Sequence, residues 1–200
     1  MQKQMKNSLI HHSKRRFMAR FISSAAGTLT LPFAAQAQAL RSSGLRTSGI
    51  ELNRPRELAF YHTHTDKNLS VVYHDGESHL APVLQEINEF LGDFRTGESH
   101  PIDPQLLDAL YLLQQKTGIE NSFEVISGYR SPKTNEKLRD KSNGVAKRSL
   151  HMQGKAIDVR LVGFNTKELR NTAIAMKVGG VGYYRRSDFI HLDTGRVRYW

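Results

Sequence analysis

The sequence predicts an α+β fold, in which a small antiparallel sheet is flanked by helices. Two observations lead to this fold class. Short segments with the alternating pattern of strands form two hairpins, one turning at residues 66–68 and one at residues 185–187. Segments with apolar residues at helical spacing lie between these hairpins. The 200 residues suffice for one domain with its own core.

Residues 1–39 have the composition of an export signal. They hold six of the 29 basic residues and no acidic residue, and residues 13–18 include paired arginines. A weakly apolar run at residues 21–33 precedes two small-residue cleavage sites at residues 35–39. These features favour a twin-arginine signal, so we expect a periplasmic protein without stable membrane insertion. An uncleaved anchor is the alternative, but a spanning helix needs roughly 20 apolar residues.

Residues 40–55 are rich in serine, glycine, threonine and arginine, which is typical of a linker, so we expect the domain at residues 56–200. The absence of cysteine excludes disulfides and a lipoprotein anchor. Beyond the signal, 23 basic and 19 acidic residues remain. This mild positive charge either attracts an anionic polymer such as the bacterial wall or serves only solubility. The sequence lacks the basic stripe with interleaved aromatic residues that is typical of nucleic-acid binding.

The domain is predicted to begin with a hairpin whose strands lie at residues 57–63 and 69–73. His62 and His64 fall on the same face of the first strand. They either bind a metal ion or are exposed side chains. We expect exposed side chains, because no third ligand is evident beside them.

Two amphipathic helices are predicted to follow, at residues 79–94 and 103–118. Asp103 before Pro104 is typical of a helix start, and Gly118 is typical of a helix end. We expect their apolar faces to form the core rather than to bind a partner protein.

The rest of the domain is predicted to alternate strands and helices. The predicted elements are a strand at residues 123–127, a helix at 132–141, a strand at 155–161, a helix at 166–178 and hairpin strands at 181–184 and 189–193. Asn165 or Thr166 is expected to cap the last helix, and Gly179 with Gly180 is expected to end it.

Two polar stretches in this region carry candidate metal ligands. His151 and Asp158 lie in S-L-H-M-Q-G-K-A-I-D, and His191 lies in D-F-I-H-L-D. Gly154 permits a tight bend between His151 and Asp158, so the three side chains converge if the strands of Asp158 and His191 are neighbours. Three nitrogen or oxygen ligands and an open position are typical of a catalytic zinc site. The spacing alone leaves open that these are unrelated polar residues.

The stretch at residues 149–158 fits S-x-H-x-x-G-x-A-x-D without a mismatch. With it the chain resembles the zinc D-Ala-D-Ala carboxypeptidase and dipeptidase superfamily, whose fold is shared with the hedgehog signalling domain. The runs at residues 127–131, 144–147 and 179–184 resemble the YcbK/MepK-like murein endopeptidases more closely. This resemblance covers roughly residues 50–200.

The resemblance implies that the sheet carries one zinc ion (Zn2+), bound by His151, Asp158 and His191. It also implies a metallopeptidase that hydrolyses cross-links between peptidoglycan stem peptides. The murein endopeptidase runs suggest a bond between two diaminopimelate residues, and a D-Ala–diaminopimelate bond or a terminal D-Ala stays open. Arg130 lies where the superfamily's arginine contacts substrate and transition state, and the alternative role is a structural salt bridge.

Peptide hydrolysis also needs a carboxylate that takes a proton from water and passes it to the leaving amine. Asp188, three residues before His191, is the candidate for this base. The superfamily's usual residue there is glutamate, so the shorter aspartate leaves open whether another group fills the role. Asp193 is expected to support His191, because a ligating histidine commonly donates its other ring N–H to a carboxylate.

Two functions of other classes compete with the peptidase. A peptidoglycan-binding protein could keep the fold and the zinc but lack turnover, and Asp188 in place of glutamate favours this alternative. A structural or signalling protein like the hedgehog domain would use its site for recognition alone.

Overall fold

The computed structural model describes residues 54–142 and 144–200. The predicted signal at residues 1–39 and most of the linker predicted at residues 40–55 lie outside the described residues. The described elements are β1 (Arg56–His62), β2 (Lys67–His74), α1 (Ala81–Phe90), α2 (Pro104–Thr117), β3 (Phe123–Ser127), α3 (Pro132–Lys141), β4 (Ala156–Leu161), α4 (Thr166–Met176), β5 (Gly180–Tyr184), β6 (Phe189–Asp193) and β7 (Arg198–Tyr199), with a 3-10 turn at Leu150–Gln153 before β4.

All seven described strands join one sheet in the order β2-β1-β3-β4-β6-β5-β7. The class is α+β, but the prediction of a small antiparallel sheet is wrong, because β1 pairs with β3 and β5 pairs with β7 in parallel. Local pattern reveals hairpins such as β1–β2 and β5–β6. It cannot reveal the β1–β3 pair, whose strands are joined through both α1 and α2.

The helix boundaries follow capping chemistry. Asp103 Oδ1 accepts a hydrogen bond from Gln105 N (3.0 Å), and α2 ends at Gly118 with a φ of 68°. Ser131 Oγ caps α3 in the same way, followed by Pro132. Helix α4 ends at Lys177, which takes a φ of 55°, so the stop predicted at Gly179 and Gly180 is wrong.

The core lies between one face of the sheet and helices α1, α2 and α4. Because strand side chains alternate between faces, Ile157 and Val159 of β4 point into this core while Asp158 points to the opposite face. The other buried residues of this core that come from strands are Leu58, Phe60, Tyr73, Phe123, Val125, Leu161, Val181, Ile190 and Leu192. The helices therefore cover one face, and the polar side chains gather on the other.

The prediction that His62 is exposed is wrong. Only 1% of His62 is accessible, and its ring packs edge-on against Phe90 and Phe94. His64 lies in the turn after β1 and is exposed. Among the described helices, none combines the length and apolar character that crossing a bilayer requires.

Candidate metal centre

The predicted ligands His151, Asp158 and His191 come together on the polar face of the sheet. Strands β4 and β6 are antiparallel neighbours, as expected, and their register places Asp158 directly opposite His191. His151 lies in the 3-10 turn, which Gly154 closes with a φ of 65°. A side chain at Gly154 would overlap the carbonyl oxygen of Pro101, so both conformation and space favour glycine there.

The three ligand atoms form a compact triangle. His151 Nε2 is 3.2 Å from His191 Nδ1 and 3.2 Å from Asp158 Oδ1, and Asp158 Oδ1 is 2.9 Å from His191 Nδ1. All three residues are buried. Ligands of one tetrahedral zinc ion, each at roughly 2.0–2.1 Å from the metal, are about 3.3 Å apart. The observed triangle fits that spacing.

Hydrogen bonds fix which ring nitrogen of each histidine carries its proton. His151 Nδ1–H donates to the carbonyl oxygen of Gly128 (2.7 Å), and His191 Nε2–H donates to Asp193 Oδ2 (2.9 Å). When both rings are neutral, the lone pairs of His151 Nε2 and His191 Nδ1 therefore face each other. Two such acceptors at 3.2 Å beside a carboxylate need either a proton or a metal ion among them, so this set of donor atoms suits a metal ion.

Asp193 is fully buried and holds His191 in place. Its carboxylate accepts hydrogen bonds from Gly180 N (3.0 Å) and Gly195 N (2.8 Å) and pairs with the guanidinium of Arg198 (2.7 Å). Burial alone would raise the pKa of Asp193, but His191, Arg198 and these N–H groups outweigh it and hold the pKa well below its usual range. A stable anion thus orients the His191 ring, as is common for metal-binding histidines.

The charges at the centre favour cation binding. Burial opposes ionisation of Asp158, but His151, His191 and Arg130 outweigh it and lower its pKa. Burial lowers the pKa of His151, which keeps that ring neutral. Burial also opposes protonation of His191, yet its hydrogen bonds to Asp158 and Asp193 raise its pKa. A bound cation would replace the proton on His191, because metal ligands must be deprotonated.

Arg130 lies at the edge of the centre. Its Nη2 donates to Asp158 Oδ2 and its Nε donates to Ser127 Oγ (2.8 Å). The guanidinium also lines the cleft in front of the ligands. The geometry therefore gives Arg130 a salt bridge and a position from which it can reach a bound substrate.

Asp188 is not brought to the ligand cluster. It occupies the β5–β6 turn with a φ of 51°, and 64% of its side chain is accessible. Its nearest cation is Arg160, with Nη1 4.0 Å from Asp188 Oδ2, and Asp188 does not line the cleft. The role of Asp188 as a base stays a prediction.

An aromatic wall that was not predicted from the sequence lies beside the centre. The cleft in front of the ligands has a volume of about 380 Å³. The aromatic wall consists of Tyr184, Phe189 and Trp200, and the rings of Tyr184 and Phe189 stack with their centres 4.6 Å apart. The Trp200 ring lies 5.3 Å from the His191 ring and covers Gly182. Strand β7, which precedes Trp200, has two residues and hence no periodicity to detect. The one sequence signal for the wall was Gly182, the second glycine of G-V-G-Y-Y, because a glycine inside a strand often marks the close approach of another group.

Comparisons with known proteins identify the family of the chain. The family model described as "Peptidoglycan L,D-endopeptidase MepK" matches residues 51–200. Relatives of that name from Escherichia coli K12 and Shigella flexneri are each 42% identical over 147 residues, covering 74% of this chain and 81% of their own. A relative from Haemophilus influenzae is 40% identical over 152 residues, covering 76% of this chain and 82% of its own. No solved structure matches the chain significantly. With three quarters of its length matched at this identity, the chain belongs to the peptidoglycan L,D-endopeptidase MepK family.

Proposed function

We propose that the chain is a zinc-dependent murein endopeptidase that hydrolyses cross-links between peptidoglycan stem peptides. The observation that carries this proposal is the triangle of His151, Asp158 and His191, with both histidine lone pairs turned toward one point at the head of a cleft. Family membership supports the reaction class. The relatives' name specifies an L,D-endopeptidase, which supports the bond between two diaminopimelate residues as the one that is cut.

The chain's own residues would divide the work of hydrolysis. A zinc ion held by His151, Asp158 and His191 would supply a Lewis acid and lower the pKa of water to about 7. Asp193 keeps the His191 ring oriented through the Nε2–H bond. Arg130 is held by Asp158 and Ser127 and lines the cleft, and its remaining N–H groups would stabilise the oxyanion that develops on the substrate carbonyl. Asp188 is the proposed acceptor of the proton from water.

We place this activity in the periplasm, after export through the twin-arginine pathway. The support is the paired-arginine leader at residues 1–39 and the location of peptidoglycan outside the cytoplasm. Immunodetection in periplasmic and cytoplasmic fractions, compared with a protein in which Arg15 and Arg16 are both changed to lysine, tests this. We expect the paired change to retain the protein in the cytoplasm with an unshortened leader.

The experiment that tests the function is a digest of purified cross-linked muropeptide dimers, with and without a zinc chelator, followed by mass spectrometry. We expect monomers without chelator and intact dimers with it, and the product masses identify the bond that is cut. His151→Ala should lose bound zinc and cleavage together. Cleavage that persists in excess chelator would contradict zinc dependence.

A peptidoglycan-binding protein without turnover is the second candidate. The observation that favours it is the exposed position of Asp188. Among the described residues that line the cleft, Asp158 is then the only one with a side-chain carboxylate, and it is already a candidate metal ligand. This candidate predicts that zinc-loaded protein sediments with purified cell walls and releases no product. Monomer formation in the dimer digest excludes it.

A further inference from the structure

The cleft carries more positive charge than the site's own chemistry uses. Five cations line it, and the one carboxylate that lines it is Asp158. Two of these cations are neutralised, because Arg130 pairs with Asp158 and Arg198 pairs with Asp193. The remaining three are Arg95, Lys141 and Arg148. Within residues 54–142 and 144–200, none of the three has a carboxylate within 4.0 Å of its charged group.

Arg95 differs from the other two in how firmly it is held. Its guanidinium lies 4.0 Å from the centre of the Phe94 ring, and that ring stacks on His64 at 4.2 Å with an interplanar angle of 16°. The backbone N–H of Arg95 donates to Asp93 Oδ1 (3.1 Å). A planar cation stacked on an aromatic ring loses little conformational freedom when it binds a ligand.

Asp93 fixes this segment beside the catalytic arginine. Its Oδ2 accepts hydrogen bonds from Ser131 N (3.0 Å) and Ser131 Oγ (2.8 Å), and Ser131 directly follows Arg130 in the chain. Asp93 itself is buried, so the attachment excludes water. The Arg95 segment and the Arg130 segment are thereby joined into one wall of the cleft.

Arg95 and Arg130 line the same cleft and carry charges of the same sign. Partial burial of its guanidinium lowers the pKa of Arg95, Asp93 opposes that change, and the charge of Arg130 lowers the pKa further. Asp158 already pairs with Arg130, whereas the guanidinium of Arg95 contacts the Phe94 ring and has no carboxylate partner among the described residues. An anion bound in the cleft against Arg95 would offset this positive charge and accept hydrogen bonds from the Arg95 guanidinium.

We propose that Arg95 binds a free carboxylate of the wall peptide next to the bond that is cut, and so selects substrates that carry an acid there. The proposal rests on the proposed function. A diaminopimelate residue that supplies the amine of a cross-link keeps a carboxylate on the carbon that bears the scissile nitrogen. The planar fork of an arginine matches that group with two parallel hydrogen bonds.

Two synthetic cross-linked dimers test the assignment. They are identical except that one carries a carboxylate and the other an uncharged carboxamide on the diaminopimelate carbon that bears the scissile nitrogen. The measured quantity is the ratio of kcat/KM for acid over amide, which is independent of the active fraction of each preparation. We expect the wild type to prefer the acid by roughly 10- to 100-fold, mainly through a lower KM, because the carboxylate is bound equally before and during the reaction.

Three variants locate the preference. Arg95→Gln should bring the ratio close to one, and Arg95→Lys, which keeps the charge but lacks the fork, should give an intermediate ratio. The matched control is Arg148→Gln, which removes the same charge from another exposed position of the same cleft and should keep the wild-type ratio. Unfolding curves of the metal-free proteins verify that each variant folds.

The outcomes separate this proposal from the function on which it rests. An Arg95→Gln protein that keeps the wild-type ratio would overturn the assignment, as would a wild type that cleaves acid and amide equally well. A wild type that cleaves neither dimer would overturn the proposed function and the Arg95 assignment with it. A ratio that falls equally in Arg148→Gln would reduce Arg95 to one part of a diffuse positive field and overturn its role as the selecting residue.

Discussion

The proton positions on two histidines decide what the centre can bind. Gly128 holds the proton of His151 on Nδ1, and Asp193 holds the proton of His191 on Nε2. Each remaining lone pair then faces Asp158. Gly128 and Asp193 therefore leave the nitrogen of each histidine that faces Asp158 available as a metal ligand.

The first prediction at this scale concerns Asp193. Asp193→Asn keeps the shape but removes the charge that faces His191 and Arg198, so we expect zinc affinity to fall roughly 10- to 100-fold. Competition with a chromophoric chelator measures this affinity. The control is Asp188→Asn, which changes an exposed carboxylate of the same hairpin and should leave zinc affinity unchanged. Equal affinities in both variants would contradict the role of Asp193.

The second prediction concerns proton transfer. The hypothesis that Asp188 is the base predicts that Asp188→Asn lowers kcat by roughly 10²- to 10⁴-fold, with KM and zinc content unchanged. Asparagine tolerates a positive φ, so the backbone at position 188, where Asp188 has a φ of 51°, should keep its conformation. Steady-state kinetics on a muropeptide dimer measure the effect. A normal kcat would assign proton transfer to another group of the cleft.

Single elements were predicted well where a local signal marks them. The bounds of β3, α3 and β6 agree with those predicted, because Ser131 with Pro132 marks the start of α3 and short alternating runs mark the two strands. The convergence of Asp158 and His191 needed one assumption, that their strands are neighbours, and the structure confirms it. The parallel pairs and the burial of His62 were missed, because they depend on contacts distant in sequence.

Strand β5 supports the aromatic wall through Gly182. A Cβ atom there would lie 2.7 Å from two carbon atoms of the Trp200 ring. The ring cannot move away freely, because the backbone of Trp200 is hydrogen-bonded to Val181 and Tyr183. We expect Gly182→Ala to displace the ring, lower cleavage and shift tryptophan emission to longer wavelength. Trp200 is the only tryptophan in the chain, so the signal has one source.

The control for this change is Gly144→Ala, another glycine of the cleft. The nearest atom to a Cβ there is Ser142 Oγ at 3.7 Å, so the substitution should leave the emission unchanged. An unaltered spectrum in Gly182→Ala would show that the ring packing seen here does not restrain Trp200.

Asp93 joins the loop between α1 and α2 to the start of α3, and its contribution to stability should depend on pH. Burial raises the pKa of Asp93, but hydrogen bonds from Thr134, Ser131 and Arg95 outweigh it and lower the pKa. A depressed folded-state pKa stabilises the protein above the unfolded pKa of about 3.9, and this contribution is lost as pH falls through the folded value. We therefore expect Asp93→Asn to cost roughly 1.5–3 kcal/mol at pH 7 and less at pH 3.

Urea unfolding of metal-free protein at the two pH values measures this difference. Asp140→Asn, at an exposed position of α3, is the control and should change the free energy of unfolding little at either pH. An Asp93→Asn cost that is the same at both pH values would contradict the assignment of the effect to ionised Asp93.

At the scale of the whole molecule, the sheet divides two tasks between its faces. The face covered by α1, α2 and α4 holds the apolar core, and the opposite face carries the ligands, the aromatic wall and the cations of the cleft. The ligands come from β4, β6 and the 3-10 turn, so a bound ion connects central elements of the fold.

Zinc should therefore raise the stability of the whole domain. An ion that binds only the folded state stabilises it by about 2.7 kcal/mol at a free concentration 100 times its Kd. We expect a higher Tm in zinc than in chelator, measured by calorimetry, and no difference for His151→Ala. A zinc-dependent rise in Tm that survives in His151→Ala would place the stabilising ion at another site.

The register of β4 against β6 also determines where the gene tolerates insertions and deletions. Because side chains alternate along a strand, one residue added between Ala156 and Ile157 would turn Asp158 toward the apolar core and Ile157 toward the cleft. The turn at residues 185–188 lies outside the paired residues and can change length without reversing a face. Length variation among natural homologues is thus expected at residues 185–187, while Asp188 keeps its spacing to His191 and the two ligand-bearing strands keep a constant length.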